Sequence, residues 1–209
     1  MALSPLEIYA AGLRGESEVL VRDTAGGTRP VPVRDWLLGR PGDEGLLARC
    51  RGATLDVGCG PGRLTVALAA RGLPVLGVDI APVAVALARE RGALVLVRSV
   101  FDRLPGRGRW ATVLLVDGNI GIGGDLGALL RRLRGLLAPD GRLLVELEPP
   151  GGRSGPDRVR LEDSRGVSGW FSWAYLADDR LDPVGAAAGL RVLERWSDQG
   201  RWFAALVRS

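Results

Sequence analysis

The 209-residue chain contains no histidine and no lysine, a single methionine and two cysteines. Without histidine there is no Cys-His or Ser-His nucleophile pair and no side chain whose ordinary pKa lies near neutrality. Cys50 and Cys59, with no histidine to join them, cannot complete a zinc site. Proton transfer is therefore left to carboxylates, tyrosine or cysteine. The absence of lysine makes all 28 basic residues arginine, set among 24 acids, so the net charge of +4 and the pI near 10.0 are weak evidence for a polyanionic partner. Such a partner calls for clustering. The densest groups, Arg103-Arg107-Arg109 and Arg131-Arg132-Arg134, suit solvated faces, and replacement of lysine by arginine alongside abundant Ala, Gly and Leu reads as the codon bias of a GC-rich genome. Long apolar runs are also missing. The longest uncharged stretch, 166–177, falls well short of the ~20 residues that cross a bilayer. The opening Ala2-Leu3-Ser4-Pro5-Leu6-Glu7 has neither the basic nor the apolar region of a secretory signal, so a cytoplasmic protein with no membrane partner is expected. What is present, 46% apolar and 25% charged residues, suits one ordinary globular unit.

Ser4-Pro5-Leu6-Glu7 is a capping box with proline at the first helical position, followed by Leu6, Tyr9, Ala10 and Leu13 at helical spacing. Segments 18–23 and 28–33 flank Thr24-Ala25-Gly26-Gly27 as a hairpin whose second arm is confined to an edge by Pro30 and Pro32. Apolar patches at 36–38 and 46–48 suggest helices broken at 39–42. Residues 1–52 thus read as an N-terminal helix and hairpin cap. From residue 53 the pattern turns regular, with strands at 54–57, 74–80, 93–99, 111–116 and 142–147 alternating with helices at 64–71, 82–91 and 125–137. A turn is expected at Pro139-Asp140-Gly141. Near-continuous apolar strands between helices predict an α/β fold, doubly wound around a mostly parallel seven-stranded sheet. The segments 191–197 and 201–207 predict a closing antiparallel C-terminal hairpin. The Pro- and Gly-rich stretch 149–155 reads as a mobile loop. The expected layout is a cap, 1–52, on a domain spanning 53–209.

The sharpest motif is Leu55-Asp56-Val57-Gly58-Cys59-Gly60-Pro61-Gly62-Arg63, a strand that runs into a glycine turn and opens a helix. Such a turn admits a ligand close to the backbone, with helix-terminal amides facing it. The dinucleotide fingerprint requires glycine where Arg63 stands. Asp56 also sits badly beside a pyrophosphate and well beside an ammonium. A ligand carrying an amino group, a carboxylate and a nucleoside meets both conditions.

At these residues the sequence resembles the class I S-adenosylmethionine-dependent methyltransferases, whose first motif, E/D-x-G-x-G-x-G, is met in full by residues 56–62. The resemblance implies S-adenosyl-L-methionine as cofactor, bound by Asp56, Gly58, Cys59, Gly60, Gly62 and Arg63. It further implies that Asp79, followed by Ile80, holds the ribose hydroxyls. The family's adenine-binding aspartate is replaced by Ser99, with Val100 and Phe101 beside the base. Two readings stay open for the neighbours: Asp102 reaches the adenine and Phe101 flanks it, or Phe101 is core and Asp102 caps a loop. Cys59 reads as a small filler of the turn and Cys50 as a buried helix residue.

In the resembled fold the segment after the fourth strand, 117–125, lies between cofactor and acceptor. Asp117 and Asn119 are its catalytic candidates, able to orient an acceptor hydroxyl or amine, while the alternative for both is an Asx-type turn. Asp117 also counts among the expected cofactor contacts, and Asp125 is expected to cap the next helix. Trp170, Phe171, Trp173 and Tyr175 suggest an aromatic acceptor pocket, with Phe171, Trp173 and Tyr175 on one face if the segment is extended. Tyr9 is a candidate lid. The N/D-P-P-Y/F signature of amino-group nucleic-acid methyltransferases is absent. The expected activity is O- or N-methylation of a small-molecule or peptide acceptor. The competing readings are an RNA methyltransferase, a non-catalytic S-adenosylmethionine-binding protein and a nucleotide-dependent oxidoreductase.

Overall fold

A computed structural model describes residues 3–209. The chain runs through α1 (Pro5–Leu13), β1 (Leu20–Asp23), β2 (Thr28–Pro30), α2 (Asp43–Leu47), β3 (Thr54–Val57), α3 (Arg63–Ala70), β4 (Val75–Asp79), α4 (Pro82–Glu90) and β5 (Val95–Val97). It continues through β6 (Trp110–Leu115), α5 (Leu126–Leu136), β7 (Leu137–Leu147), β8 (Gly155–Asp163), β9 (Gly166–Val167), β10 (Phe171–Tyr175), α6 (Leu181–Ala187), β11 (Leu190–Asp198) and β12 (Arg201–Arg208).

The central sheet has seven strands in the order β11-β12-β7-β6-β3-β4-β5. Strands β3 to β7 pair in parallel, and β12 and β11 close the sheet in antiparallel fashion, as the apolar runs and the C-terminal hairpin predicted. All four residues of β3 are buried, because this strand lies mid-sheet and is covered on both faces. On one face α5 lays Leu129, Leu130, Leu133 and Leu136 into the core. On the other, Leu64 and Leu68 of α3 meet Leu46, Leu114 and Phe203. Asp125 caps α5 by accepting from the Ala128 amide at 2.9 Å. The capping box of α1 is also formed, Ser4 and Glu7 each accepting from the other's amide.

Several local boundaries differ from expectation. The 36–38 patch is not a helix of its own: a 3₁₀ turn spans Val33–Leu37, and Leu38 is exposed. β5 is shorter than 93–99, which leaves Ser99 in the following turn. Pro139-Asp140-Gly141 bulges out of β7, whose pairing with β6 jumps from Leu137 opposite Trp110 to Arg142 opposite Thr112. The 149–155 stretch is fastened by the Gly151 amide on Asp179 and by the Ala177 amide on Ser154 Oγ.

A second sheet was not anticipated. It is antiparallel, ordered β10-β8-β1-β2, with β9 hairpinned onto β8. β8 is its axle: Val21 lies opposite Leu161, and Phe171 opposite Val159. The N-terminal hairpin and the aromatic segment are therefore parts of one wall. β2 forms its edge, where Pro30 costs no ladder bond.

Candidate active site

The carboxyl ends of β3 and β6 adjoin, while their onward connections run to opposite halves of the sheet, which is where ligands of doubly wound folds settle. There the chain leaves β3 through Gly58, Gly60 and Gly62, all at positive φ (71°, 53° and 82°). The Gly58 and Cys59 amides are tied to the Val78 carbonyl. A side chain at Gly58 would lie 2.5 Å from the Asn119 amide nitrogen, and one at Gly62 would lie 2.8 Å from Ala88 Cβ, so glycine lets the turn and α4 close up.

Asp56 is only 2% exposed, its Oδ2 accepting from Thr65 Oγ1 at 2.7 Å. Burial pushes its carboxyl up to about 6, against the Thr65 hydrogen bond and the Arg63 charge, which lower it. Asp79, at the end of β4, accepts from the Gly60 and Ala81 amides, each at 2.8 Å. Burial raises its pKa, opposed by these backbone bonds. A carboxylate has about four acceptor positions, so two remain for a diol. Burial also drives the Cys59 thiol far above its usual range, and that of Cys50 up to about 12, so neither is a ready thiolate.

These groups line one crevice of about 960 Å³. Ser99, Val100, Phe101 and Ile80 are at one end, with Ile80 and Phe101 largely exposed to it. Phe101 is therefore not core. Asp102 is the loop cap, its Oδ2 accepting from the Ser99 amide at 3.2 Å, and it does not line the crevice. Ser99 Oγ accepts from the Phe101 amide.

Asp117 lines the crevice, but its carboxylate is occupied. Oδ2 pairs with Arg63 at 2.5 Å, and Oδ1 pairs with Arg40 and, at 3.4 Å, with Arg201. Arg63 and Arg201 also pair with Asp43, and Arg201 holds Glu146 at 2.9 Å. Glu146 Oε2 in turn accepts from the Asp117 amide at 2.6 Å. Three arginines and three acids thus interlock, and they fix Asp117 at a φ of 57°. The Arg63 side chain points into this network, so its expected place beside the cofactor reduces to a border of the crevice. Asn119 is likewise engaged, its Nδ2 donating to the Gly58 and Val57 carbonyls.

The far wall comes from the second sheet. Phe171, Trp173 and Tyr175 face the crevice, the first two meeting edge to face at 6.1 Å. Trp170 points the other way, 37% exposed under the Arg160 guanidinium, so the structure removes it from the expected pocket. Tyr9 sits over the glycine turn: a Cβ at Gly60 would come 3.2 Å from its hydroxyl, and its ring stands edge-on to Trp36 at 5.9 Å. Burial first, then Asp79, Cys59 and Asp117, raise its pKa well above the ordinary value. Sequence reasoning missed Arg29, Trp36 and Glu148 of this crevice, which only the pairing of β1 with β8 and the end of β7 bring there. The Glu148 carboxylate has no cation or hydrogen-bond donor among the described residues.

Residues 54–141 match a family model described as a methyltransferase domain. That stretch is similar to a methyltransferase domain. The structure of an S-adenosylmethionine-dependent methyltransferase from Bacteroides fragilis, in complex with S-adenosyl-L-homocysteine, superposes with a TM-score of 0.81 at 22% identity, covering 98% of this chain and 94% of that one. The CcbJ methyltransferase of Streptomyces caelestis gives 0.63 at 19% identity over 82% and 97% of the two chains. An amino pentose methyltransferase of Micromonospora echinaspora, bound to S-adenosylmethionine, gives 0.61 at 21% identity over 84% and 94%. The matched stretch, 54–141, holds the glycine turn, Asp79 and the 117–125 loop, whereas the aromatic wall lies outside it.

Proposed function

We propose that this protein transfers a methyl group from S-adenosyl-L-methionine to an oxygen or nitrogen of a small-molecule acceptor. The observation that carries the reading is that a single crevice joins the glycine turn and Asp79 to the aromatic wall of β10. The residues present fit the cofactor. The Asp79 carboxylate keeps two acceptor positions for the ribose, buried Asp56 gains from a neighbouring ammonium, and the bare backbone at Gly60 leaves room for the amino-acid end. Phe101 and Ile80 offer apolar surface to the base.

Bound S-adenosyl-L-methionine supplies a methyl group already activated on a sulfonium. The chain's part is to align the acceptor and to exclude water. Residues 3–52, the described part of the expected 1–52 unit, serve as the cap in this reading: Tyr9 and Trp36 close over the turn, while β1 and β2 complete the far wall with 155–175. Asp117 and Asn119 hold the loop and the turn together rather than handling the acceptor. Of the four carboxylates lining the crevice, Asp56, Asp79, Asp117 and Glu148, only Glu148 is without a partner among the described residues. We therefore assign proton acceptance from a hydroxyl or ammonium acceptor to Glu148. A peptide acceptor and a cytoplasmic setting belong to the same reading and rest on the sequence. The non-catalytic alternative is separated by transfer of radiolabelled methyl into a pool of small acceptors.

Calorimetry with S-adenosyl-L-homocysteine tests the cofactor assignment. Binding is expected, and Asp79→Ala should weaken it at least about fivefold, the equivalent of ~1 kcal/mol. Tight NAD(P)H binding without a response to the sulfur ligand would overturn the proposal.

A further inference from the structure

The second sheet and its connections carry six arginines, and most are neutralised. Arg22 pairs with Glu162 at 2.7 Å, Arg160 with Glu162 at 2.9 Å, Arg165 with Asp163 at 2.6 Å and Arg153 with Asp23 at 3.1 Å. Arg158 is exposed on the outer surface. Arg29 differs from all of them: it is half-buried, it lines the crevice, and no carboxylate meets it among the described residues. Its protein partner is Tyr175. An Nη2 donates to the Tyr175 hydroxyl, and the guanidinium carbon lies 4.7 Å from the ring centroid. Arg153 covers the same ring at 4.0 Å but brings its own acids.

An uncompensated guanidinium beside apolar walls is costly unless an anion joins it. The Tyr175 oxygen accepts from Arg29, so its own hydrogen is free to be donated. Arg29 and Tyr175 together therefore present two converging kinds of donor to the acceptor side of the crevice, a geometry suited to a carboxylate or phosphate oxygen pair. We infer that the methyl acceptor carries an anionic oxygen group, carboxylate or phosphate, which docks on Arg29 and Tyr175. This inference rests on the methyl-transfer reading, because it places the anion in the acceptor half of that site. It also assigns specificity to two residues on opposite sides of the second sheet's central strands, β2 and β10, so the group is gripped only when the whole wall is assembled.

The test compares benzoate, phenyl phosphate and benzamide, fragments of similar ring size that differ in charge. Binding is followed by tryptophan fluorescence, since Trp173 shares the wall, in the presence and absence of saturating S-adenosyl-L-homocysteine. The anions are expected to bind at least about tenfold more tightly than benzamide, as a charge-assisted hydrogen bond would provide. The tighter of the two anions identifies the group. Arg29→Gln should reduce the preference to about twofold or less, with affinity for S-adenosyl-L-homocysteine unchanged, and Arg29→Lys should retain part of it. Tyr175→Phe keeps the ring and removes one donor, so it should lower the preference without abolishing it, and it decides the matter if Arg29→Gln does not fold. Equal binding of benzoate, phenyl phosphate and benzamide, no anion binding at millimolar concentration, or a preference that survives Arg29→Gln would overturn the inference. Failure to bind S-adenosyl-L-homocysteine would count against the methyl-transfer reading, while the fragment comparison in the free protein would still report on Arg29.

Discussion

Asn119 Nδ2 donates to the Gly58 carbonyl at 2.9 Å, fastening the loop after β6 to the glycine turn after β3. The two strands are neighbours in the sheet, and the same nitrogen also reaches the Val57 carbonyl at 3.2 Å, while the Arg63–Asp117 pair ties the end of the turn to the start of the loop. The amide lies where a Gly58 side chain would stand, so turn and loop have one relative position. Asn119→Ala should leave two carbonyls without this donor and weaken S-adenosyl-L-homocysteine binding about fivefold, an effect of ~1 kcal/mol. Asn119→Asp should do worse, because it sets a carboxylate against carbonyl oxygens. Calorimetry on both variants checks the order.

Asp56 gives a pH dependence with a definite sign. Its carboxyl titrates at about 6 in the folded chain against an ordinary 3.8, so the folded state holds the proton more tightly through that window. Free-protein stability therefore falls as pH rises across the window, and the loss is complete above about 6. Ligand binding runs the other way: an ammonium beside Asp56 requires the ionised form, so affinity for S-adenosyl-L-homocysteine should drop as pH falls through about 6. Asp56→Asn should remove that pH dependence and weaken binding. At pH 7.5 it should also raise the melting temperature of the free protein by about 2 °C or more, the scale of ~1 kcal/mol in a chain of this size. A lower melting temperature would show that the carboxylate is not held at a cost.

The network around Asp117 makes a stability prediction. Arg201 is 9% exposed and serves Asp43, Asp117 and Glu146 at once. Arg201→Met leaves buried carboxylates short of a cation and should cost about 3 kcal/mol or more. Urea unfolding monitored by circular dichroism measures it. The double variant Arg201→Met with Glu146→Gln should recover part of the loss, since it removes one of the stranded charges.

Glu148 separates chemistry from cofactor binding. With an acceptor that must lose a proton, Glu148→Gln should lower kcat about 100-fold, at the low end of the range for a positioned base. Affinity for S-adenosyl-L-homocysteine should stay within about twofold of the native protein. Unchanged kcat across the pH range would show that solvent takes the proton.

The central sheet was legible because each of its parallel strands is a short apolar run between a glycine or proline turn and a helix, and the motif at 56–62 fixes where the first of them ends. That Asp56, the glycines and Asp79 line one crevice was legible for the same reason, since they sit at fixed offsets along the chain. The second sheet was hidden. In β8 the inward Val159 and Leu161 alternate with Arg158, Arg160 and Glu162, and a run so charged at its outward positions looks like loop beside the Pro- and Gly-rich stretch before it. Its pairing with β1 joins residues as far apart as Arg22 and Glu162, 140 positions. Asp117 was placed correctly at the rim, but the arginines that occupy it come from positions 40, 63 and 201. No local pattern brings those three together. Trp170 lies one residue before β10, and a single step along extended chain is enough to turn a side chain to the opposite face.

The clasp of β8 between β1 and β10 bears on how the protein is made. The opening hairpin leaves the ribosome long before its partner strand is synthesised, so the β1 edge that pairs with β8 must wait, unpaired, while the parallel strands take shape beside it. The far wall of the crevice is completed only once β8 and β10 have been added. A nascent chain arrested near residue 150 should accordingly present a formed glycine turn with an open roof, and a chaperone that shields the early hairpin would favour correct closure.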